Sequence, residues 1–147
     1  MIGIAYKLES FVTSRVTGPA DRAIVSNLSH AAALIRKREL ESIIEAEGPS
    51  RPGTPPHTHS PGIVKTGKRK GQRRQGVLQK AIVFVVDKAK QEAVIGPRFS
   101  VAGTSGSAHE FGGQYKKQVY PERPFAAPAL EQNLDRFAGK FAGSIGG

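Results

Sequence analysis

The chain has 147 residues and carries 22 lysines and arginines against 12 aspartates and glutamates, for a net charge of +10. It contains no cysteine, which excludes disulfides, thiolate metal sites and cysteine nucleophiles. No apolar run approaches the ~20 residues that a membrane span requires, and the first residues lack the basic stretch and apolar run of a signal peptide. We therefore expect one domain over residues 1–147, used in a cytoplasm-like compartment without a membrane partner.

The first element that the sequence predicts with a clear pattern is a helix over residues 20–46. Pro19 and Asp21 suit its first turn, and Gly48 with Pro49 ends it. Apolar residues recur at helical spacing between them: Ile24, Leu28, Ala31, Ala32, Ile35, Leu40, Ile43 and Ile44. The last turns combine basic and acidic residues into a charge-balanced end: Arg36, Lys37, Arg38, Glu39, Glu41, Glu45 and Glu47. Residues 1–14 fit a short strand as well as a short helix.

A long irregular segment is predicted over residues 48–76. It opens with a proline- and glycine-rich stretch that cannot sustain a helix or a central strand. Residues 51–80 contain eight basic residues and no acidic one: Arg51, Lys65, Lys68, Arg69, Lys70, Arg73, Arg74 and Lys80. We expect an extended basic arm or loop, because loops of this length are usually functional or ordered against a partner.

Two β-rich runs follow the arm. Residues 81–87 and 92–97 indicate two antiparallel strands joined by a short hairpin connection, and Gly96-Pro97 ends the second. Residues 103–107 indicate a flexible glycine- and serine-rich tip, and residues 114–120 a further polar strand.

The last predicted element is a C-terminal helix that opens at Arg123-Pro124-Phe125. Its apolar face consists of Ala126, Leu130, Leu134, Phe137 and Phe141. The order of elements predicts an α+β fold with an N-terminal helix, a long Pro/Gly-rich basic arm, a small antiparallel sheet and a C-terminal helix.

Histidines offer the best candidates for a chemical site, and they are weak ones. His57 and His59 are two residues apart, and His109-Glu110 could add an imidazole and a carboxylate, but zinc needs three or four ligands held tetrahedrally. A His-x-His pair in a proline-rich loop is more often solvated or bonded to backbone carbonyls. No Gly-x-Ser-x-Gly or His-Glu-x-x-His motif is present. We therefore predict no enzyme, no catalytic residue, no metal site and no cofactor.

The basic segment leaves three interpretations open. It could dock on an acidic protein surface, contact nucleic-acid phosphates in a salt-dependent and sequence-independent way, or simply be solvated. Between Arg51 and Lys80 no aromatic residue is interleaved, so the segment has no side chain on which a base could stack.

The second half of the chain carries a series of short motifs in a fixed order. These are Pro-Pro-His-Thr-His at 55–59, a strand ending at Asp87, Val-Ile-Gly-Pro at 94–97, His-Glu-Phe-Gly-Gly at 109–113 and Tyr-Pro-Glu-Arg-Pro-Phe-Ala-Ala-Pro-Ala-Leu-Glu at 120–131. Together they resemble the tail-component, virion-morphogenesis family of long-tailed bacteriophages over roughly residues 48–135. The motif residues are Gly96, Pro97, Glu110, Phe111, Gly112, Arg123, Pro124, Phe125, Pro128 and Leu130.

Elementary physics assigns these motif residues to maintaining the fold. Pro124 fixes a rigid turn from which Phe125 can anchor in the core, and Pro128 is tolerated in the first turn of a helix. We expect Phe111 to be buried and the glycines after it to permit a bend.

The resemblance implies a structural virion protein, assembled in the host cytoplasm, at the junction of phage head and tail. Its members act as neck connectors or complete the tail tube, so the implied partners are further copies in a ring and the adjacent neck, portal-side or tail-tube proteins. It implies six-fold symmetry on the tail side, or twelve-fold next to the portal, around the DNA conduit. The alternative is a small basic nucleic-acid-binding protein, which rests on the charge alone.

Overall fold

The computed structural model of the chain describes residues 4–6, 19–58, 62–72 and 76–142 and has the predicted α+β class. The helices are α1 (Pro19–Ser42), α2 (Val77–Ala81), α3 (Phe99–Ala102), α4 (Ser105–Phe111), α5 (Ala126–Glu131) and α6 (Leu134–Ala142). The strands are β1 (Ile4–Tyr6), β2 (Ile82–Asp87), β3 (Glu92–Pro97), β4 (Gly113–Tyr115) and β5 (Gln118–Tyr120). The short helices α2 and α3 were not predicted.

The strands form two small antiparallel sheets. In the first, β3 lies between β1 and β2, and the predicted β2–β3 hairpin is confirmed, with Phe84 opposite Ile95. The second sheet is a hairpin of β4 and β5. The single strand predicted over residues 114–120 is divided there because Lys116 and Lys117 both have positive φ angles and turn the chain back on itself.

Helix α1 covers one face of the three-stranded sheet with the apolar side that its residue spacing predicts. Its buried residues meet β3, α5 and α6 in a core of Leu28, Ala31, Ala32, Ile35, Ala93, Ile95, Ala129 and Phe137. The helix ends at Ser42 rather than near residue 46. After that point the chain extends, because the Thr58 backbone N–H bonds the Ile44 carbonyl and the Ala46 N–H bonds the Thr58 carbonyl.

The predicted C-terminal helix is two helices. Asn133 separates them: its side-chain amide donates to the Ala129 carbonyl at 2.7 Å, and its own carbonyl accepts from the Arg136 and Phe137 N–H groups. This buried asparagine closes α5 and opens α6, since short polar side chains compete with the helical hydrogen bonds. Pro128 lies in the first turn of α5, where a missing N–H costs nothing.

The flexible tip predicted over residues 103–107 is wrong, because α4 begins at Ser105. The Ser105 hydroxyl donates to the carbonyl of Ala102, the last residue of α3, and the Ser107 hydroxyl donates to the carbonyl of Thr104, the residue directly before α4. Gly106 faces the ring of Pro97 so closely that a Cβ there would lie 2.2 Å from the proline Cγ. The glycine is therefore a packing position between α4 and the end of β3.

The predicted irregular segment divides into two parts. Residues 48–58 pack against the body of the protein: Ser50 and Pro56 are buried, and the Gly53 N–H bonds the Glu122 carbonyl. Residues 62–72 lie largely exposed and contain neither helix nor strand. None of the described helices is long and apolar enough to cross a bilayer.

Candidate functional site

The most organised polar contact in the described structure joins α4 to the start of α5. Glu110 is buried on α4, and its carboxylate accepts hydrogen bonds from the backbone N–H groups of Phe125 (2.9 Å), Ala126 (3.0 Å) and Ala127 (2.9 Å). These N–H groups have no partner within the helix, and the positive end of the helix dipole favours a negative charge. Glu110 therefore caps α5 from a different helix.

The Arg-Pro-Phe motif completes this contact between α4 and the start of α5, which we call the α4–α5 joint. Phe125 is buried with Ile43 and Ile82, so the predicted anchoring of Phe125 in the core is confirmed. The Arg123 backbone N–H donates to the His109 carbonyl, and its side chain reaches residue 50 of the irregular segment.

The prediction that Phe111 is buried is wrong. Its side chain is 60% exposed, whereas Glu110 beside it is buried. Neighbouring residues of a helix lie about 100° apart, so turning the Glu110 carboxylate toward α5 turns Phe111 outward. The bend predicted after it is present, because Gly112 has a φ of +67° and packs against the Glu122 backbone. The remaining motif residues lie as follows: Gly96 is buried, Pro97 ends β3, Pro124 is half-buried, and Leu130 packs against the main core.

A second buried carboxyl group belongs to Glu39, which is 0% exposed on α1. Neither of its oxygens has a hydrogen-bond partner among the described residues. Burial raises the pKa of Glu39 to about 8, the negative charge of Glu110 adds to the rise, and Arg36 opposes it. At neutral pH Glu39 is therefore mainly protonated. The burial of Glu39 could be predicted from the helical spacing, because Glu39 follows Ile35 by four residues on the apolar face of the helix.

Arg123 also lines a cavity of about 270 Å³. We call it the Arg123 cavity; its polar and aromatic walls include Ser50, His57, Ser105, His109, Tyr120 and Arg123. The His109 and Tyr120 rings meet edge to face with centroids 6.4 Å apart. Burial, together with the positive charge of Arg123, lowers the pKa of His109. No sequence pattern places Ser50 or Tyr120 in a site.

The candidate metal ligands are only partly brought together. His57 and His109 line the Arg123 cavity, whereas Glu110 points to α5 and His59 lies outside the described residues. In the described part of the chain no three histidine, cysteine, aspartate or glutamate side chains are grouped to hold a metal ion.

The basic residues predicted to face a partner are not all in one place. Lys65, Lys68, Arg69 and Lys70 share an exposed turn over residues 64–72, which we call the basic turn. It is closed by backbone hydrogen bonds between Val64 and both Gly71 and Gln72. Arg51 is exposed elsewhere, Lys80 is exposed on α2, and Arg73 and Arg74 lie outside the described residues.

Apolar side chains are exposed at several places on the described surface. Val77, Phe99 and Val101 lie on α2 and α3, two helices that pack together, and we call this surface the α2–α3 face. Val85 is exposed on the sheet face opposite α1, and Val119 is exposed on β5. Single exposed apolar residues are ordinary, whereas neighbouring ones indicate an interaction surface.

Comparisons of this chain with protein-family models, with curated proteins and with solved structures found no match.

Proposed function

We propose that this protein is a structural virion protein of a long-tailed bacteriophage, and that it forms a homo-oligomeric ring at the head–tail junction. The ring would surround the DNA conduit as a tail terminator, a tail-completion protein or a neck connector. The protein would act by assembly and not by catalysis.

The joint between α4 and α5 carries the proposal. Glu110, from the Glu-Phe-Gly motif, binds the backbone that immediately follows Arg123-Pro124 of the second motif. Two short motifs that are separate in the sequence thus form one structural unit. This supports interpreting them as one family pattern, the one that resembles phage tail components, and not as unrelated short matches.

The exposed surfaces are consistent with assembly into a ring. The α2–α3 face presents Val77, Phe99 and Val101 to solvent, and a monomer gains nothing from this exposure. A head-to-tail contact that closes on itself would cover this face in every subunit. The basic turn would then reach an adjacent ring or the lumen.

Light scattering at low and high salt, with electron micrographs of the same sample, tests the proposal. We expect closed rings with a central hole, six-fold on the tail side or twelve-fold next to the portal. Replacing Val77, Phe99 and Val101 with serine should leave a folded protein that does not close rings. Val119→Ser, a change at a still more exposed valine on the separate β4–β5 hairpin, is the control and should assemble normally.

The basic turn also supports a second candidate, a small nucleic-acid-binding protein. Within the described residues, Lys65, Lys68, Arg69 and Lys70 form no ion pair with a carboxylate, so their charges are free to contact phosphates. Such binding releases counterions and weakens steeply as salt increases. A protein that stays monomeric at every concentration and binds DNA in this salt-dependent way would contradict the ring and favour this candidate.

A further inference from the structure

Arg123 is a buried cation that has no carboxylate partner among the described residues. Its side chain is only 8% exposed, and in the described structure its one hydrogen bond runs from Nε to the Ser50 carbonyl at 3.0 Å. A guanidinium group has five N–H donors. A buried charge is normally paired, because leaving it without a counter-charge is costly.

The walls around Arg123 contain further polar groups without partners. Ser50 is 4% exposed, and its hydroxyl makes no hydrogen bond with the described residues. His57 and His109 also line the cavity, and the Nδ1 atom of each is buried with no hydrogen-bond partner in the part of the chain that the structure describes. Each of these groups can donate a hydrogen bond in at least one form. None of the described residues lining the cavity is acidic.

From this arrangement we infer that the Arg123 cavity is a binding site for one oxyanion, a carboxylate or a phosphate group. The planar guanidinium matches two oxygens of either group and forms short, charge-assisted hydrogen bonds with them. The serine and histidine groups would complete the shell of donors. A metal cation is disfavoured there, since the wall itself carries the charge of Arg123. This inference does not depend on the ring.

The size of the cavity fits a small group and not a polymer. A water molecule occupies about 30 Å³ in the liquid, so about 270 Å³ has room for a phosphate or carboxylate with a short organic stem. The stem would meet the rings of Tyr115 and Tyr120, which lie edge to face with centroids 5.9 Å apart.

Titration with inorganic phosphate and, separately, with glutarate tests the inference by two-dimensional amide NMR at constant ionic strength. We expect saturable shifts at Ala108, His109 and Tyr120. Saturation by phosphate alone would assign a phosphate-bearing ligand, and saturation by glutarate alone would assign a carboxylate such as an acidic side chain. Absence of saturable shifts with both anions at millimolar concentrations would overturn the inference.

Three variants locate the binding. Arg123→Gln should weaken it roughly ten-fold or more, because a hydrogen-bonded charge is lost. Ala108→Leu keeps every charge but fills the cavity from α4, so it should abolish binding. It also provides the test if Arg123→Gln does not fold. Serine replacements of Lys68, Arg69 and Lys70 remove three of the four charges of the exposed basic turn and should leave binding unchanged. Equal binding by wild type and Ala108→Leu, or loss of binding in the basic-turn variant, would refute the site.

Discussion

The Oε2 atom of Glu110 lies 2.9 Å from the backbone nitrogen of Phe125 and 3.0 Å from that of Ala126, so one carboxylate satisfies the start of a helix that lies 15 residues further along the chain. The same contact fixes where Phe125 enters the core beside Ile82. The Glu110 carboxylate thus links α4 to the start of α5 and, through Phe125, to β2 of the three-stranded sheet.

Glu110→Ala should destabilise the protein strongly. The substitution leaves three backbone N–H groups at the start of α5 without an acceptor, two of them in buried residues. Leaving a buried backbone donor without its acceptor costs about 1–3 kcal/mol per donor. Glu110→Gln keeps one acceptor oxygen and should cost less. Urea unfolding measures both free energies.

Glu131→Ala is the matched control for this experiment, because Glu131 is exposed at the other end of α5. Exposed substitutions usually change the free energy of unfolding by at most about 0.5 kcal/mol. A Glu110→Ala protein as stable as this control would show that the cap contributes little.

Glu39 should make the stability of the protein depend on pH. Its pKa rises from the ordinary value of 4.5 to about 8 on folding, so the folded state binds the proton more tightly than the unfolded state. With respect to this group, the free energy of unfolding is highest below pH 4.5, falls as the pH rises toward 8 and is level above it. The total change is a few kcal/mol, since one pKa unit corresponds to about 1.4 kcal/mol.

Glu39→Gln should therefore remove this slope and be more stable than wild type at pH 8. His109, whose pKa is lowered, contributes the opposite slope below its ordinary pKa of 6.5, and the difference between variant and wild type cancels it. Glu41→Gln, an exposed change on the same helix, should leave the slope intact. Parallel stability profiles for wild type and Glu39→Gln from pH 5 to 8 would contradict the assignment.

The main elements could be predicted from sequence because their signals are local. Helix α1 follows from apolar spacing, and the β2–β3 hairpin follows from two β-branched runs with a short connection. Glu110 and Phe111 could not be assigned correctly, because hydrophobicity alone places the phenylalanine inside. Their actual placement depends on a contact that is distant in the sequence: the backbone N–H groups at residues 125–127 need an acceptor, and Glu110 supplies it.

The Arg123 cavity could not be predicted for a similar reason. Ser50 and Arg123 are 73 residues apart, and the hydrogen bond between them depends on how residues 48–58 fold back on the body. No local pattern indicates this packing. His57 and His109 were both recognised as polar candidates, but only the tertiary structure places them in one wall.

Gly106→Ala should destabilise the protein, because the new Cβ would lie 2.2 Å from Cγ of Pro97. Relieving the clash must move α4 away from the end of β3, which costs about 1–3 kcal/mol. Gly139→Ala is the matched control: Gly139 has open space around its Cβ position on α6, and alanine is favoured over glycine in a helix by roughly 1 kcal/mol. The unfolding temperature should therefore fall for Gly106→Ala and rise for Gly139→Ala. A shift in the same direction for both substitutions would contradict the proposed packing.

Replacing Lys68, Arg69, Lys70, Arg73 and Arg74 with serine should leave the monomer folded and impair assembly. The described members of this set are exposed and unpaired, so their loss removes no stabilising contact. Replacing five exposed basic residues elsewhere, Lys88, Lys90, Lys117, Arg136 and Lys140, removes the same charge from the net +10 and should leave assembly intact. Thermal unfolding checks the fold, and light scattering checks the ring. Normal rings and normal infectious particles from the first variant would refute a role for this segment in assembly.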